Sequence, residues 1–293
     1  MNKLYICCMM RGWTIGFTFI LLALGTNVLQ GQTAVRFYNE AVQFYLNDAA
    51  DEAEEKVRLA LKIQRSYPDA WFLLGQTYAQ RGIFKTAIKY YKKALKQTPN
   101  NPDYRFHKAL AYDEMGKLRK AIRFYLETTA VDPHYVLAWK RLGAIYFLAS
   151  DYPRAIDNYS HALDSNPMDK DALLSRGNAQ AALGHFPEAI SDYDQALQLD
   201  SADPNIYYNR ASAFFSNGDA YAAVKDFSMV LERRPEDRDA WLNRGISLLA
   251  LELYPQALED LDRALALDSN HADTWWNRAY LLHEQDSVAA ARA

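Results

Sequence analysis

The sequence predicts an all-α fold, a right-handed solenoid of stacked helix–turn–helix units. Three observations carry that prediction. The segments "YYNRA" from Tyr207, "WLNRG" from Trp241 and "WWNRA" from Trp275 recur 34 residues apart, and a fixed period in this range marks stacked repeats. With position 1 of successive repeats at Ala34, Pro68, Pro102, Val136, Lys170, Pro204, Arg238 and Ala272, the register needs no insertion or deletion. Position 20 is then alanine in all eight (Ala53, Ala87, Ala121, Ala155, Ala189, Ala223, Ala257, Ala291), and position 8 is Gly or Ala in all eight.

Each element of the unit follows from spacing. Positions 4, 8 and 11 share one face of a first helix (A), and positions 20, 24 and 27 one face of a second (B). Position 15, between them, is Gly82, Gly116, Gly184 and Gly218 in four repeats, which suits a helix end that needs a left-handed residue. Small residues at 8 and 20 let the two helices approach. Large ones at 4, 11 and 24, such as Trp71, Tyr78 and Tyr91, fill the space around them. Pro99, Pro133, Pro167 and Pro235 at position 32 stop helix B. Ser201 and Ser269 replace proline there, so those two turns are expected to be softer.

The pattern of a large residue, Leu-Gly, Tyr, Ala, an aromatic, Ala and Pro in "AWFLLGQTY…TAIKYYKKALKQTP" (Ala70 to Pro99) resembles the tetratricopeptide repeat (TPR) family. The resemblance covers residues 34–293 and implies seven full TPR units plus a partial eighth. It fixes the fold and is nearly silent about function. At the partial eighth repeat, Ala291 reaches position 20 and the sequence stops at Ala293. Half a repeat leaves an apolar face uncapped. A short closing helix, a continuation of the chain or a partner would each cover it.

Composition bounds the remaining possibilities. The chain has 293 residues, 50% hydrophobic and 24% charged, with a net charge of −3. These are the values of a folded soluble protein and do not favour nucleic acid as a partner. Residues 1–31 differ. Lys3 and Arg11 precede the uncharged run from Trp13 to Gly25, the layout of a secretory signal peptide. Cleavage is expected after Gly25 or Gly31; the alternative is an uncleaved anchor over residues 13–29, the only route to a membrane. Removal would take Cys7 and Cys8 with it and leave no thiol for disulfides, catalysis or metal. The expected location is periplasmic or extracellular.

Charge is uneven. Twelve Lys/Arg face three Asp/Glu from Arg81 to Arg123, and ten face twenty-two from Ser150 to Asp273. Solvated outer faces explain this. A sharper reading places Lys85 to Lys96 near anionic lipid heads, glycan or an acidic partner.

Arginine recurs in the core stripe at position 7, as Arg176, Arg210, Arg244 and Arg278, while position 23 of helix B is Asp192, Asp226 and Asp260. A guanidinium cannot shed its charge and needs a partner when buried. The residues therefore predict a structural ladder of Arg–Asp pairs. Either each repeat pairs with itself, or Arg210, Arg244 and Arg278 reach back to the aspartate of the preceding repeat. The second choice is preferred because it also serves Arg278.

The resemblance implies that helix A positions 2, 5, 6, 9, 12 and 13 line a concave groove. Asn209, Asn243 and Asn277 at position 6 resemble the asparagine ladder in the superhelix of O-linked N-acetylglucosamine transferases, where amides hold a peptide backbone. The alternative is an amide tolerated on a wet face. No transferase domain follows. Tyr208, Phe215, Trp276, Tyr280, Phe72 and Phe106 are expected to make the groove aromatic. The chaperone-carboxylate clamp of some TPR proteins needs basic and amide residues at positions 5 and 9. Here Tyr38 and Val42, Phe72 and Gln76, and Phe106 and Leu110 stand there, so the clamp is absent.

No phosphate-binding loop or H-E-x-x-H is present, and the six histidines share no ligand spacing. No catalytic residue, cofactor or metal site is expected, and a hydrolase built on scattered Asp and His lacks any activated constellation. The functional expectation is a non-catalytic scaffold that binds a partner segment in its groove. The alternative is a regulatory or targeting subunit of an envelope enzyme or secretion and assembly complex.

Overall fold

A computed structural model describes residues 29–292; the expected signal segment lies outside them. Fifteen α-helices and no strand occur among the described residues. They are α1 (29–46), α2 (Ala50–Ile63), α3 (Pro68–Gln80), α4 (Phe84–Gln97), α5 (Pro102–Asp113), α6 (Leu118–Val131), α7 (Val136–Leu148), α8 (Tyr152–Ser165), α9 (Lys170–Ala182), α10 (Phe186–Leu199), α11 (Pro204–Ser216), α12 (Ala220–Arg233), α13 (Arg238–Ala250), α14 (Tyr254–Leu267) and α15 (Ala272–Arg292). They fall into two compact units, residues 1–133 and 134–293. The first holds three helix pairs; the second holds four pairs and α15. None of these helices is long and apolar enough to cross a membrane.

Within each pair the small residues act as the spacing implies. The seven alanines at position 20 up to Ala257 are fully buried, as are Val57, Tyr125 and Leu261 at position 24, with Tyr91, Tyr193 and Phe227 almost so. A Cβ on Gly143 would lie 2.7 Å from the Tyr159 ring, and one on Gly177 2.7 Å from the Tyr193 ring. At these two positions glycine leaves the room that the tyrosine ring of the facing helix takes, whereas repeat 3 carries Ala109 at position 8 with Tyr125 at position 24.

Every A helix from α1 to α13 ends in the same way. The N–H of position 16 bonds the carbonyl of position 11 (Ile83 to Tyr78, 2.9 Å; Leu253 to Leu248, 3.0 Å), and position 15 bonds position 12. This is the Schellman arrangement, and it forces position 15 into left-handed backbone. Gly82, Gly116, Gly184 and Gly218 adopt it, and so do Asp48, Ser150 and Glu252, at φ 57°, 58° and 58°. The three non-glycine residues carry the steric cost of that conformation, about 1–2 kcal/mol for an L-residue. Glu252→Gly is therefore expected to stabilise the protein by about 1 kcal/mol, read as a higher urea midpoint.

The turns at Ser201 and Ser269, where softness is expected, carry side-chain hydrogen bonds of their own. Asp200 and Asp268 precede these serines, and each accepts from a backbone N–H two residues on, Ala202 and Asn270, at 3.1 Å. A side-chain turn of this kind fixes the bend without proline. The tryptophans of position 4 brace the same corner. Trp71, Trp241 and Trp275 each donate the indole N–H to the carbonyl of the position-32 residue before them (Arg65, Pro235, Ser269), at 2.8–3.0 Å. Arg105 does so with a guanidinium N–H to Pro99, at 2.7 Å.

The eighth repeat departs from the periodic reading. Helix α15 runs unbroken from Ala272 to Arg292, through the positions where every earlier repeat turns. Ala291 therefore does not start a second helix; "DSVAAAR" offers neither glycine nor proline to stop the first.

Position 7 in the first unit holds an instructive exception. Lys108 is buried, with its Nζ 3.6 Å from the centre of the Phe124 ring. Burial, aided by the Lys92, Arg123 and Arg105 charges, pushes its ammonium down to about 8. The folded state thus binds fewer protons than the unfolded chain between pH 8 and 10.5, and stability must rise with pH across that window. Repeats 2 and 4 carry Leu74 and Leu142 at this position. Lys108→Leu is expected to raise stability at pH 7 by about 1–3 kcal/mol, given 1.36 kcal/mol per unit of lowering. Denaturation of both proteins from pH 7 to 10.5 should show the gap closing.

Candidate partner-binding site

In the second unit successive A helices (α7, α9, α11, α13, α15) touch one another directly, and successive B helices make no comparable contact. The A helices therefore line the inner curve of this unit. Position 6 faces along that curve. Asn209 donates its amide to Asn178 Oδ1 on α9 at 3.1 Å, and Tyr193 Oη donates to the same oxygen at 2.8 Å. Asn243 donates to Tyr208 Oη on α11 at 2.8 Å. Asn277 turns back to the Asp273 carbonyl of its own helix at 2.7 Å. Two asparagines are thus linked to the preceding A helix by one amide N–H, which leaves each amide oxygen and a second N–H available on a partly exposed surface. Asn178 was missed in the sequence because it stands at position 9 in one repeat only.

The aromatic residues divide. Trp276 is 66% exposed and Tyr280 44%, stacked at 5.6 Å and 1°. Phe215 is exposed at the end of α11. Tyr208 is half-buried, edge-on to Phe227 at 5.5 Å, and burial first, then the Asp239 and Asp237 charges, raise its phenol. In the first unit the expectation fails for Phe106. It is 5% exposed and packs on Tyr125 at 5.6 Å. Phe72 is half-buried against Tyr104 at 4.6 Å and Tyr91 at 5.6 Å. A ring at position 5 swings between neighbouring helices when aromatic residues already surround it, so these two serve packing.

The position-7 arginines meet the aspartates within their own repeat, which corrects the preferred backward pairing. Arg176 grips Asp192 through Nε and Nη2 at 2.8 and 2.7 Å, Arg210 grips Asp226 at 2.6 and 2.9 Å, and Arg244 grips Asp260 at 2.7 and 2.8 Å. The remaining Nη1 does reach back, to position 25 rather than 23: Ser160 at 3.1 Å, Asp194 at 2.5 Å and Ser228 at 3.0 Å. Arg278 bonds position 25, Asp262, through Nε at 2.6 Å. The hydrogen bonds that Arg176 donates to Asp192 outweigh burial and hold its guanidinium above its usual value. Repeat 1 carries the same pair with reversed charge, Glu40 at position 7 and Lys56 at position 23, 2.7 Å apart.

Other singled-out groups have structural roles. His161 stacks on Trp139 at 4.5 Å and lies 3.9 Å from Asp157. Asn158 of the sequon-like Asn-Tyr-Ser is buried in α8 and donates to the Arg154 carbonyl at 2.7 Å. Lys85, Lys89, Lys92, Lys93 and Lys96 are exposed on α4.

Family models agree with this architecture. A model described as "TPR repeat" matches residues 75–116 and 181–218, and one described as "Tetratricopeptide repeat" matches 106–160, 208–270 and 244–293. The chain is a tetratricopeptide repeat protein. Among curated proteins, the TPR chain is 29% identical over 133 residues to Hsp70-Hsp90 organizing protein 3 of Arabidopsis thaliana. The match takes in 44% of this chain and only 23% of that protein. Among solved structures, the C-terminal part of a TPR repeat-containing protein from Cytophaga hutchinsonii superposes with a TM-score of 0.69 at 16% identity, over 82% of this chain and 98% of that one. YrrB, described as a TPR protein with an unusual peptide-binding site, superposes at 0.61 and 22%, over 64% and 97%. At these identities the structures speak for the fold alone. Membership of the tetratricopeptide repeat family is what supports a protein–protein interaction scaffold.

Proposed function

We propose that this TPR protein is a non-catalytic scaffold that holds an extended segment of a partner protein along the A-helix face of residues 134–293. The observation that carries the reading is the pair Asn209 and Asn243, each fixed from behind by one hydrogen bond and presenting amide groups to the inner curve. An amide that both donates and accepts can hold a peptide backbone whatever its side chains. Trp276 and Tyr280 supply exposed aromatic surface on the same unit, the residue type that dominates contact energetics. Position 5 of this unit holds one cation, Lys140, and its ammonium is already engaged by Asp169 at 2.8 Å and Asp171 at 3.3 Å, so an internal segment is the expected ligand rather than a chain terminus. Lys3, Arg11 and the apolar run after them support export to the cell envelope or beyond.

The test is capture from envelope and cytosolic fractions on the protein and on the Asn209→Ala/Asn243→Ala variant. The partner segment, mapped by cross-linking, is expected to lose roughly 10–30-fold in affinity with the variant, since each lost hydrogen bond contributes about 1 kcal/mol. Equal capture by both would remove the groove reading. One stoichiometric enzyme in the eluate would favour the regulatory-subunit alternative. N-terminal sequencing of the protein from cells is expected to begin after Gly25 or Gly31; an intact Met1 in the cytosolic fraction would remove export.

A further inference from the structure

The end of the second unit carries half of an interface that the same chain completes three times. On one side α15 is in register with the stack. Thr274 and Leu281, at positions 3 and 10, are fully buried, as Ala240 and Ser247 are one repeat earlier. On the other side it repeats the surface that each earlier A helix turns toward its own B helix. Position 8 is buried in all seven earlier repeats, yet Ala279 is exposed. Trp275 at position 4 is 50% exposed.

The arginine identifies what this surface fits. In repeats 5 to 7 the guanidinium gives one N–H to position 25 of the preceding repeat and two to the position-23 aspartate of the B helix. Arg278 has the first contact, to Asp262. It holds no second carboxylate among the described residues, because α15 continues where a B helix would begin.

We propose that this face of α15 docks an amphipathic α-helix of a partner protein, one whose buried stripe reads small residue, aspartate and large apolar residue at i, i+3 and i+4. The stripe is copied from the three B helices that complete the same half-site: Ala189, Asp192 and Tyr193; Ala223, Asp226 and Phe227; Ala257, Asp260 and Leu261. The aspartate supplies a bidentate acceptor for Arg278. The small residue lets the backbones approach, and the large one covers Ala279 as Phe227 covers Ala211. A second copy is a poor occupant. Helices α10, α12 and α14 are already engaged, and α15 itself has no aspartate three residues after a small residue within its described face. The inference goes beyond the groove reading, since it concerns the side of α15 that earlier repeats turn toward helix B.

The test uses the full chain and a fluorescent peptide with the α14 sequence Tyr254–Leu267, side-chain stapled between its exposed positions 259 and 263 to hold it helical. Fluorescence anisotropy is expected to show saturable binding that weakens at least tenfold for Arg278→Ala, for Ala279→Arg, and for a peptide with asparagine in place of Asp260. All three residues altered on the protein and peptide lie in the contact, and melting curves of the protein variants should match the parent. Asn209→Ala/Asn243→Ala should leave peptide binding unchanged, which separates this site from the groove. Absence of saturable binding, or binding indifferent to Arg278→Ala and Ala279→Arg, overturns the proposal. So does a dimer in sedimentation velocity that Ala279→Arg dissociates, because a second copy then occupies the face, or a mass of the protein from cells that exceeds this sequence by a following helix, because the chain itself then covers the face.

Discussion

Asp260→Ala is expected to lower the unfolding free energy by about 3–5 kcal/mol, the cost of leaving one side of a buried ion pair without the other. Asp260 is 3% exposed and receives two N–H donors from Arg244. After truncation the guanidinium keeps only the Ser228 hydroxyl, at 3.0 Å, and a cation–π contact with Trp241 at 4.7 Å. Asp226→Ala should cost less, because Arg210 keeps the carboxylate of Asp194 at 2.5 Å. That ordering separates the paired geometry from a general intolerance of substitution. The sharper test is the double variant Arg244→Leu/Asp260→Tyr, which copies Leu74 and Tyr90 of repeat 2. Replacing a buried pair by well-packed apolar residues is close to neutral, so the double variant should recover most of the loss. Urea denaturation with amide exchange in α13 and α14 reads both effects. An Asp260→Ala midpoint equal to the parent would sink the ladder as a stabilising device.

The pairing shows what a periodic sequence can and cannot disclose. Position 20 was legible because close helix approach admits only a small side chain, and seven buried alanines follow. The arginine–aspartate association was legible because charge must be matched inside. The partner's register was not, since a long guanidinium spans two repeats and serves both, as Nη1 of Arg176 shows at Ser160. The charge-reversed pair Glu40 and Lys56 obeys the same rule with other letters, and a search for arginine overlooks it. Left-handed backbone at Asp48, Ser150 and Glu252 was hidden for a similar reason. The hydrogen bonds of the helix end dictate that conformation, and glycine is only its cheapest tenant. In the candidate site, Asn209 and Asn243 were found by repetition. Asn178 was not, because its role depends on Tyr193 and Asn209 meeting at one oxygen. The burial of Phe106 was also out of reach, since a ring at position 5 can turn either to the curve or between helices.

Tyr193→Ala should cost about 3–5 kcal/mol, the range for deleting a fully buried aromatic ring. Tyr193 is almost fully buried, and its ring takes the space that a Cβ on Gly177 would need. Truncation therefore opens a cavity where two helix backbones lie close, and α9 and α10 cannot collapse further without moving Ala189. The phenol adds a link to the site, since its Oη donates to Asn178, which in turn holds Asn209. Tyr193→Phe keeps the ring and drops that bond, so its expected cost is about 1 kcal/mol with a measurable loosening of Asn209. Repeat 7 shows a smaller solution, Leu261 against Gly245, where an added Cβ would stand 3.2 Å from the leucine. Gly177→Ala alone should destabilise through overpacking, by about 1–3 kcal/mol less the helix propensity that alanine gains. With Tyr193→Leu beside it, part of that loss should return. The double-mutant cycle must then give a favourable coupling between positions 8 and 24; strict additivity would mean that the ring and the glycine do not share the space between the helices.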